Sequence, residues 1–258
     1  MMAPDLTIED LFSKEKFIFI AGPCAVESEE QVIETARFLK TLGINFMRGG
    51  AYKPRTSPKS FQGLKEEGLK ILAMAKEETG INIVTEVMDS DNLTTVTKYA
   101  DILQIGSRNC QNFSLLRRVG ELNRPVLIKR GFGNTIDEFV QASEYISGAG
   151  NSQIIMVERG IRTFENATRF TLDISAVPVL KERVPYPVYV DPSHPAGLAR
   201  YVEPLSLAAV GAGADGLMIE VHPEPQEALS DSKQQLNFKQ FELLYKRVNI
   251  LRETMSKF

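Results

Sequence analysis

Cys24, His194 and Glu220 bring a thiol, an imidazole and a carboxylate, and such a mixed S, N and O set suits a borderline divalent ion such as Zn, Fe, Mn or Co. Asp231 offers a fourth donor a short way beyond Glu220. No CxxC or HExxH spacing ties these residues together, so each alone reads equally well as a buried thiol, a structural hydrogen-bonder or an ordinary acid. A second set is cationic: Arg48, Lys53, Arg55, Arg108, Lys129 and Arg159. Charges of one sign repel when crowded unless an anion sits among them. Phosphate suits both the Arg fork and the Lys point charge, and this many cations would serve two phosphorylated ligands. The competing reading is that they pair with Glu86, Glu158 or Asp191, or stand in solvent.

Whether either set can assemble depends on the elements that carry it. Short apolar runs recur at 17–22, 45–49, 82–87, 102–106, 126–130, 154–158, 188–191 and 216–221. They are continuous rather than alternating, as expected of parallel strands covered on both faces. Amphipathic helical patterns lie between and after them, at 29–42, 64–79, 93–99, 113–122, 139–146, 175–183, 198–212 and 238–257. Ser28 with Gln31, and Thr135 with Glu138, have capping-box spacing ahead of two of these helices. Eight strands alternating with eight helices predict an α/β fold, and the length favours one closed (β/α)8 (TIM) barrel over a doubly wound sheet. The expected organisation is a single catalytic domain over 1–258, with a short extension at 1–16 and no separate regulatory domain.

In such a barrel the chemistry gathers where strands end. The runs lead into Ala21-Gly22-Pro23-Cys24, Arg48, Thr85-Glu86, Gly106-Ser107-Arg108-Asn109, Lys129-Arg130, Glu158-Arg159, Asp191-Pro192-Ser193-His194 and Glu220. Every carboxyl end carries charged or reactive groups, whereas the opposite ends, such as Leu42-Gly43-Ile44, are bland. This asymmetry marks an enzyme. Other features are discounted. The GxGxxG letters at 211–216 follow a helix and precede a strand, the reverse of the dinucleotide context, and read as a helix exit. The stretch 147–150 reads likewise. Gly131-Phe132-Gly133 follows a strand and would either present N–H groups to a phosphate or make a tight turn. His222 reads as a loop residue, and Cys110 as a plain thiol able to pair with Cys24 only under oxidation.

Composition excludes several classes. The chain has 258 residues, 43% hydrophobic and 24% charged, which is ordinary for a folded domain. Its 30 Lys and Arg against 33 Asp and Glu leave a net charge of −3, which argues against nucleic-acid or anionic-membrane binding. No apolar run approaches the roughly 18 residues of a membrane span. Residues 1–10 lack a basic stretch before an apolar one, so no secretory signal is expected. Two cysteines make no disulfide framework, and a reducing cytoplasm is the expected compartment.

The ordered motifs Ala21-Gly22-Pro23-Cys24, Lys53-Pro54-Arg55-Thr56-Ser57, Gly106-Ser107-Arg108-Asn109, Asp191-Pro192-Ser193-His194 and the Glu220 run resemble the 3-deoxy-D-arabino-heptulosonate 7-phosphate (DAHP) synthase family. The likeness is nearest its short subfamily, related to 3-deoxy-manno-octulosonate 8-phosphate (KDO8P) synthase. It implies a (β/α)8 barrel, usually a homotetramer, that condenses phosphoenolpyruvate with erythrose 4-phosphate at the start of aromatic amino acid synthesis. It implies that Cys24, His194, Glu220 and Asp231 hold one divalent metal ion (Mn, Fe, Co or Zn). It places Arg108, Lys129 and Arg159 on the phosphate and carboxylate of phosphoenolpyruvate, with Arg48 and Lys53 beside them. Lys53, Pro54, Arg55 and Thr56 fall to erythrose 4-phosphate. Lys53 is expected to protonate the new alkoxide, and Glu86 to orient water or brace the cations. KDO8P synthases typically read Lys-Ala-Asn-Arg-Ser where this chain has Lys53-Pro54-Arg55-Thr56-Ser57, and Arg55 gives a fork for the shorter sugar's phosphate. The alternatives are the sister synthase acting on arabinose 5-phosphate, a class I aldolase with Lys129 as Schiff-base nucleophile, and a non-catalytic phosphate sensor.

Overall fold

The computed structural model describes residues 17–53 and 59–257. The expected extension at 1–16, and Pro54, Arg55 and Thr56, lie outside the described residues. Eight strands, β1 (Ile18–Gly22), β2 (Phe46–Arg48), β3 (Asn82–Val87), β4 (Ile102–Ile105), β5 (Val126–Lys129), β6 (Ile154–Glu158), β7 (Val188–Val190) and β8 (Gly216–Glu220), form a closed parallel barrel in chain order. Pairing of β1 with β8, Ile20 opposite Met218 and Gly22 opposite Glu220, closes the ring.

The outer layer consists of α1 (Glu29–Thr41), α2 (Glu66–Thr79), α3 (Ser90–Val96), α4 (Phe113–Gly120), α5 (Ile136–Ser147), α6 (Ala176–Arg183), a short α7 (Ser193–Ala196), α8 (Ala199–Gly211) and α9 (Phe238–Met255). Caps set several boundaries. Thr135 and Glu138 form the expected capping box on α5. At α1 only half of one forms: the Ser28 side chain accepts from Gln31 N, but Gln31 Oε1 accepts from Glu27 N, one residue too early. α3 begins three residues before its expected start because Asp89 and Asn92 make a capping box there. The 211–216 and 147–150 stretches are helix exits, with Gly213 and Gly150 at positive φ.

Strand periodicity sorts side chains between two cores. Ile20, Phe46, Val84, Ile102, Leu127, Ile155, Tyr189 and Met218 point into the barrel and plug its lower half. Their neighbours one residue along, including Met47, Ile83, Leu103, Ile128, Met156 and Leu217, pack against the helices. Each such fully buried side chain stabilises the fold by roughly 2 kcal/mol. Cys110 belongs to this outer layer, and both cysteines are free thiols. The plug is what makes the upper barrel a floor-bounded cup rather than a channel.

Candidate active site

Two residues beyond the apolar plug, the same inward face carries a polar group on seven of the eight strands. Phe46 is followed by Arg48, Val84 by Glu86, Ile102 by Gln104, Leu127 by Lys129, Val157 by Arg159, Tyr189 by Asp191 and Met218 by Glu220; all of these polar side chains are buried. They line or floor a cavity of about 400 Å³ at the carboxyl end of the barrel. The eighth position is Gly22, at φ +146, where a Cβ would stand 2.2 Å from the Arg48 carbonyl oxygen. Only glycine lets β1 end there and turn Cys24 towards the mouth.

Cys24, Glu220 and Asp231 offer ligand atoms that all lie within 4.8 Å of one another. His194, opening α7 just beyond β7, puts Nε2 3.7 Å from Glu220 Oε1 and 4.0 Å from Asp231 Oδ2. Ligands around one tetrahedral ion stand roughly 3.3–3.8 Å apart, so this spacing is near what an ion requires. Nδ1 lies 2.7 Å from Asp191 Oδ2, so an imidazole carrying its proton on Nδ1 would present the Nε2 lone pair to the cluster. Burial pushes the His194 pKa down against the pull of Asp191 and Glu220, favouring the neutral imidazole that a metal needs. The residues present therefore fit a divalent ion.

Supporting bonds hold each donor. Arg48 donates from Nη1 to Glu220 Oε1 at 2.9 Å and to the Pro23 carbonyl at 3.0 Å. Gln234 donates to Glu220 Oε2 at 2.6 Å and to Asp231 Oδ2 at 3.2 Å. Asp231 occupies the left-handed region, φ +51, with Arg169 donating to its Oδ2 at 3.0 Å. Lys53 Nζ donates to the Cys24 carbonyl at 2.8 Å and stands 3.2 Å from its Sγ. Burial, then the Glu220 charge, pushes the Cys24 thiol up to about 11, with Lys53 opposing. Burial also pushes the Glu220 carboxyl up, but His194 and Arg48 outweigh it and hold the carboxylate below its usual range.

The opposite wall is cationic. Lys129 Nζ lies 2.6 Å from Asp191 Oδ2, and burial still draws its pKa down. Arg159 lies against a stacked pair of rings, Phe132 and Phe170, whose centroids are 5.3 Å apart, with its guanidinium carbon 5.1 Å from the first and 4.2 Å from the second. Its Nε and Nη1 are buried and make no hydrogen bond, and burial draws its pKa down to about 10. Arg108 lies over the same Phe132 ring at 5.3 Å. Glu86 lines the same cavity, within electrostatic reach of Lys53, Lys129, Arg48 and Arg108. Gln104 donates to its Oε2 at 3.3 Å, and its Oε1 packs where a Cβ on Gly106, the residue after β4, would lie 2.0 Å away, so a side chain there would displace the Glu86 carboxylate. Burial raises the Glu86 pKa against Lys53 and Lys129.

The fold thus brings together Cys24, Arg48, Lys53, Glu86, Arg108, Lys129, Arg159, His194, Glu220 and Asp231, while the assignments to Pro54, Arg55 and Thr56 fall outside the described residues. Sequence reasoning missed Gln104, Gln234, Arg162, Arg169 and Phe170, and considered the Phe132 segment only for its backbone N–H groups. Gln104 was detectable from its place two residues after an inward Ile102. The loop residues had no such signal. Glu158 points outward and accepts from Arg130, so it makes no hydrogen bond to the rim cations considered as its partners. Gly131-Phe132-Gly133 makes a turn closed by Asn134 N to Gly131 O at 3.3 Å.

Similarity to known proteins follows the same outline. Residues 13–257 match the model of the DAHP synthetase I family. A phospho-2-dehydro-3-deoxyheptonate aldolase of Thermotoga maritima is 53% identical over 256 residues, 98% of this chain and 76% of that protein. A solved DAHP synthase structure from the same organism superposes with a TM-score of 0.91 at 55% identity, covering 93% of this chain and 70% of that one. A 2-dehydro-3-deoxyphosphooctonate aldolase of Thioalkalivibrio sulfidiphilus is 33% identical over 82% of this chain and 81% of its own length. With its barrel, its mixed donor cluster and a family match over nearly its whole length, this chain belongs to the DAHP synthetase I family.

Proposed function

We propose that this chain condenses phosphoenolpyruvate with erythrose 4-phosphate and water to give DAHP and inorganic phosphate, with one divalent metal ion held by Cys24, His194, Glu220 and Asp231. The single observation that carries the reading is the juxtaposition in one cup of a mixed S, N and O donor cluster and a wall of buried cations. When bound, the ion supplies Lewis acidity to the aldehyde oxygen of the sugar. Arg108, Lys129 and Arg159 hold the phosphate and carboxylate of phosphoenolpyruvate, so that its C3 faces the aldehyde carbon. The unpartnered Arg159 donors and Lys129, fixed by Asp191, hold the phosphate and carboxylate anions in place, and it is the negative charge of those anions that offsets the cation developing at C2 as C3 attacks. Lys53, beside the donor cluster, holds the proton for the new alkoxide. Glu86 orients the water that adds to C2, after which C–O cleavage releases phosphate. Arg48 acts on the donor cluster through Glu220.

Erythrose 4-phosphate is favoured over arabinose 5-phosphate by Arg55 in the Lys53-Pro54-Arg55-Thr56-Ser57 motif, and by the higher identity to the heptonate than to the octonate enzyme. Pro54, Arg55 and Thr56 are assigned with Lys53 to erythrose 4-phosphate. We further propose a cytoplasmic homotetramer of single-domain subunits. No helix among the described residues is long and apolar enough to cross a membrane.

A phosphate-release assay with phosphoenolpyruvate and each aldose phosphate, with and without metal, tests the reading. Erythrose 4-phosphate should support turnover that a chelator abolishes and added Mn, Co or Zn restores, and Cys24→Ala should lose the restored activity while keeping its circular dichroism spectrum. Arabinose 5-phosphate should give little product. Full turnover with chelator present would remove the metal, and efficient use of arabinose 5-phosphate would move the chain to the sister reaction.

A further inference from the structure

The cations facing the cup are not equally free. Arg48 is committed to Glu220, Lys129 to Asp191, and Arg169 to Asp231 and Gln234. Lys53 is held on the Cys24 carbonyl. That leaves Arg108, Arg159 and Arg162, whose guanidinium groups make no hydrogen bond or ion pair among the described residues. All three surround one ring, with guanidinium carbons 5.3, 5.1 and 5.0 Å from the Phe132 centroid. Arg162 is also fixed through its backbone. Its N–H donates to the Phe132 carbonyl at 2.7 Å, and the adjoining Ile161 pairs with Thr171 in an antiparallel bridge. Gly131-Phe132-Gly133 therefore presents a ring and a carbonyl, and both address arginines of neighbouring elements.

Three like charges around one ring, with no carboxylate among them, repel one another until an anion of more than one charge arrives. A ring face attracts and orients guanidinium planes without neutralising them. Resting on the reading of the preceding subsection, we propose that Arg162 is a third arm on the phosphate of phosphoenolpyruvate, and that Phe132 is the positioning residue that spaces Arg108, Arg159 and Arg162 around it. The assignment to this phosphate, rather than to that of the aldose, follows from the shared ring with Arg108 and Arg159.

Steady-state kinetics on the metal-loaded enzyme, with inorganic phosphate as a competing anion, test it. Arg162 is exposed, so its replacement leaves the core intact. Arg162→Ala should raise KM for phosphoenolpyruvate about tenfold, raise the inhibition constant of inorganic phosphate in parallel, and leave KM for erythrose 4-phosphate within about twofold. Arg162→Lys should recover part of both effects, because it restores the charge but not the fork. Phe132→Leu, which keeps apolar bulk and removes the ring face, should raise the same two constants. Unchanged phosphoenolpyruvate and phosphate constants in Arg162→Ala would overturn the proposal, as would a rise confined to erythrose 4-phosphate. If the wild-type enzyme released no phosphate at all, the condensation reading would fail instead. Direct titration with inorganic phosphate, about tenfold weaker in Arg162→Ala, would then still decide the anion clamp.

Discussion

Two sets of buried charges lie on opposite sides of the same sheet, a few residues apart in sequence. Behind β5 and β6, Arg130 donates from Nη1 to Glu158 Oε2 and Asp173 Oδ2, both at 2.8 Å, and from Nε to the Asn134 carbonyl at 3.0 Å. Glu158 Oε1 accepts from Gly160 N at 2.6 Å. Burial lowers the Arg130 pKa, but Glu158 and Asp173 outweigh it and hold the guanidinium more firmly protonated than usual. In the cup, Arg159 is equally buried but unfinished: two of its donor atoms have no partner, and burial wins over the charges around it. The contrast separates structure from function. Arg130, bonded to two carboxylates and a carbonyl, braces the loops after β5 and β6, whereas Arg159 keeps unpartnered donors beside the cup.

The sharpest way to break this comparison is to remove the unfinished member. Arg159→Met should lower kcat/KM by about 100-fold to 1000-fold through lost transition-state contacts, yet leave the thermal midpoint unchanged or higher, since no carboxylate is stranded. A midpoint fall of several degrees would show that Arg159 is structural after all. Arg130→Met should do the reverse. Stranding Glu158 and Asp173 costs about 3–5 kcal/mol, which for a chain of this size lowers the midpoint by about 10 °C, while KM changes far less than in Arg159→Met. The double variant Arg130→Met/Glu158→Met should regain part of that loss, because an apolar pair strands less charge; calorimetry on both variants checks it.

The smallest effect lies at low pH. Burial raises the Asp173 pKa, but bonds from Arg130 and Ser175 outweigh it and hold the carboxyl below its ordinary 3.8. A depressed carboxylate stabilises the fold fully above the unfolded pKa, and that contribution is lost as pH falls through the folded value. Asp173→Asn should therefore be less stable at pH 7 and show a shallower loss of stability below about pH 4 than the parent. An identical acid slope would exclude Asp173 as a titrating member of the Arg130 cluster.

Repeat count, helix order and the crowding of chemistry at strand ends were legible in the sequence, because a short apolar run, a polar loop and an amphipathic stretch recur eight times. Caps were partly legible: Thr135 and Glu138 behaved as their spacing implies, whereas Gln31 turned to a backbone N–H one residue away. The motifs carrying Cys24, His194 and Glu220 could be set down in order, but no local spacing joined them. Closure of β1 onto β8 is what makes their strands neighbours, and a positive φ at Asp231 is what swings that loop carboxylate onto the same point.

Direction was the main thing hidden. In Lys129-Arg130 and Glu158-Arg159 the sequence places two charges side by side at a strand end, and nothing in the letters says which faces the cup. Parallel strands bury both faces, so hydrophobic alternation, the usual guide to sidedness, is missing. The sequence determined which residue types stand at the carboxyl ends. Tertiary structure decided that Lys129 and Arg159 turn inward to the cup and that Arg130 and Glu158 turn outward to each other, because ring closure sets one parity for all eight strands at once.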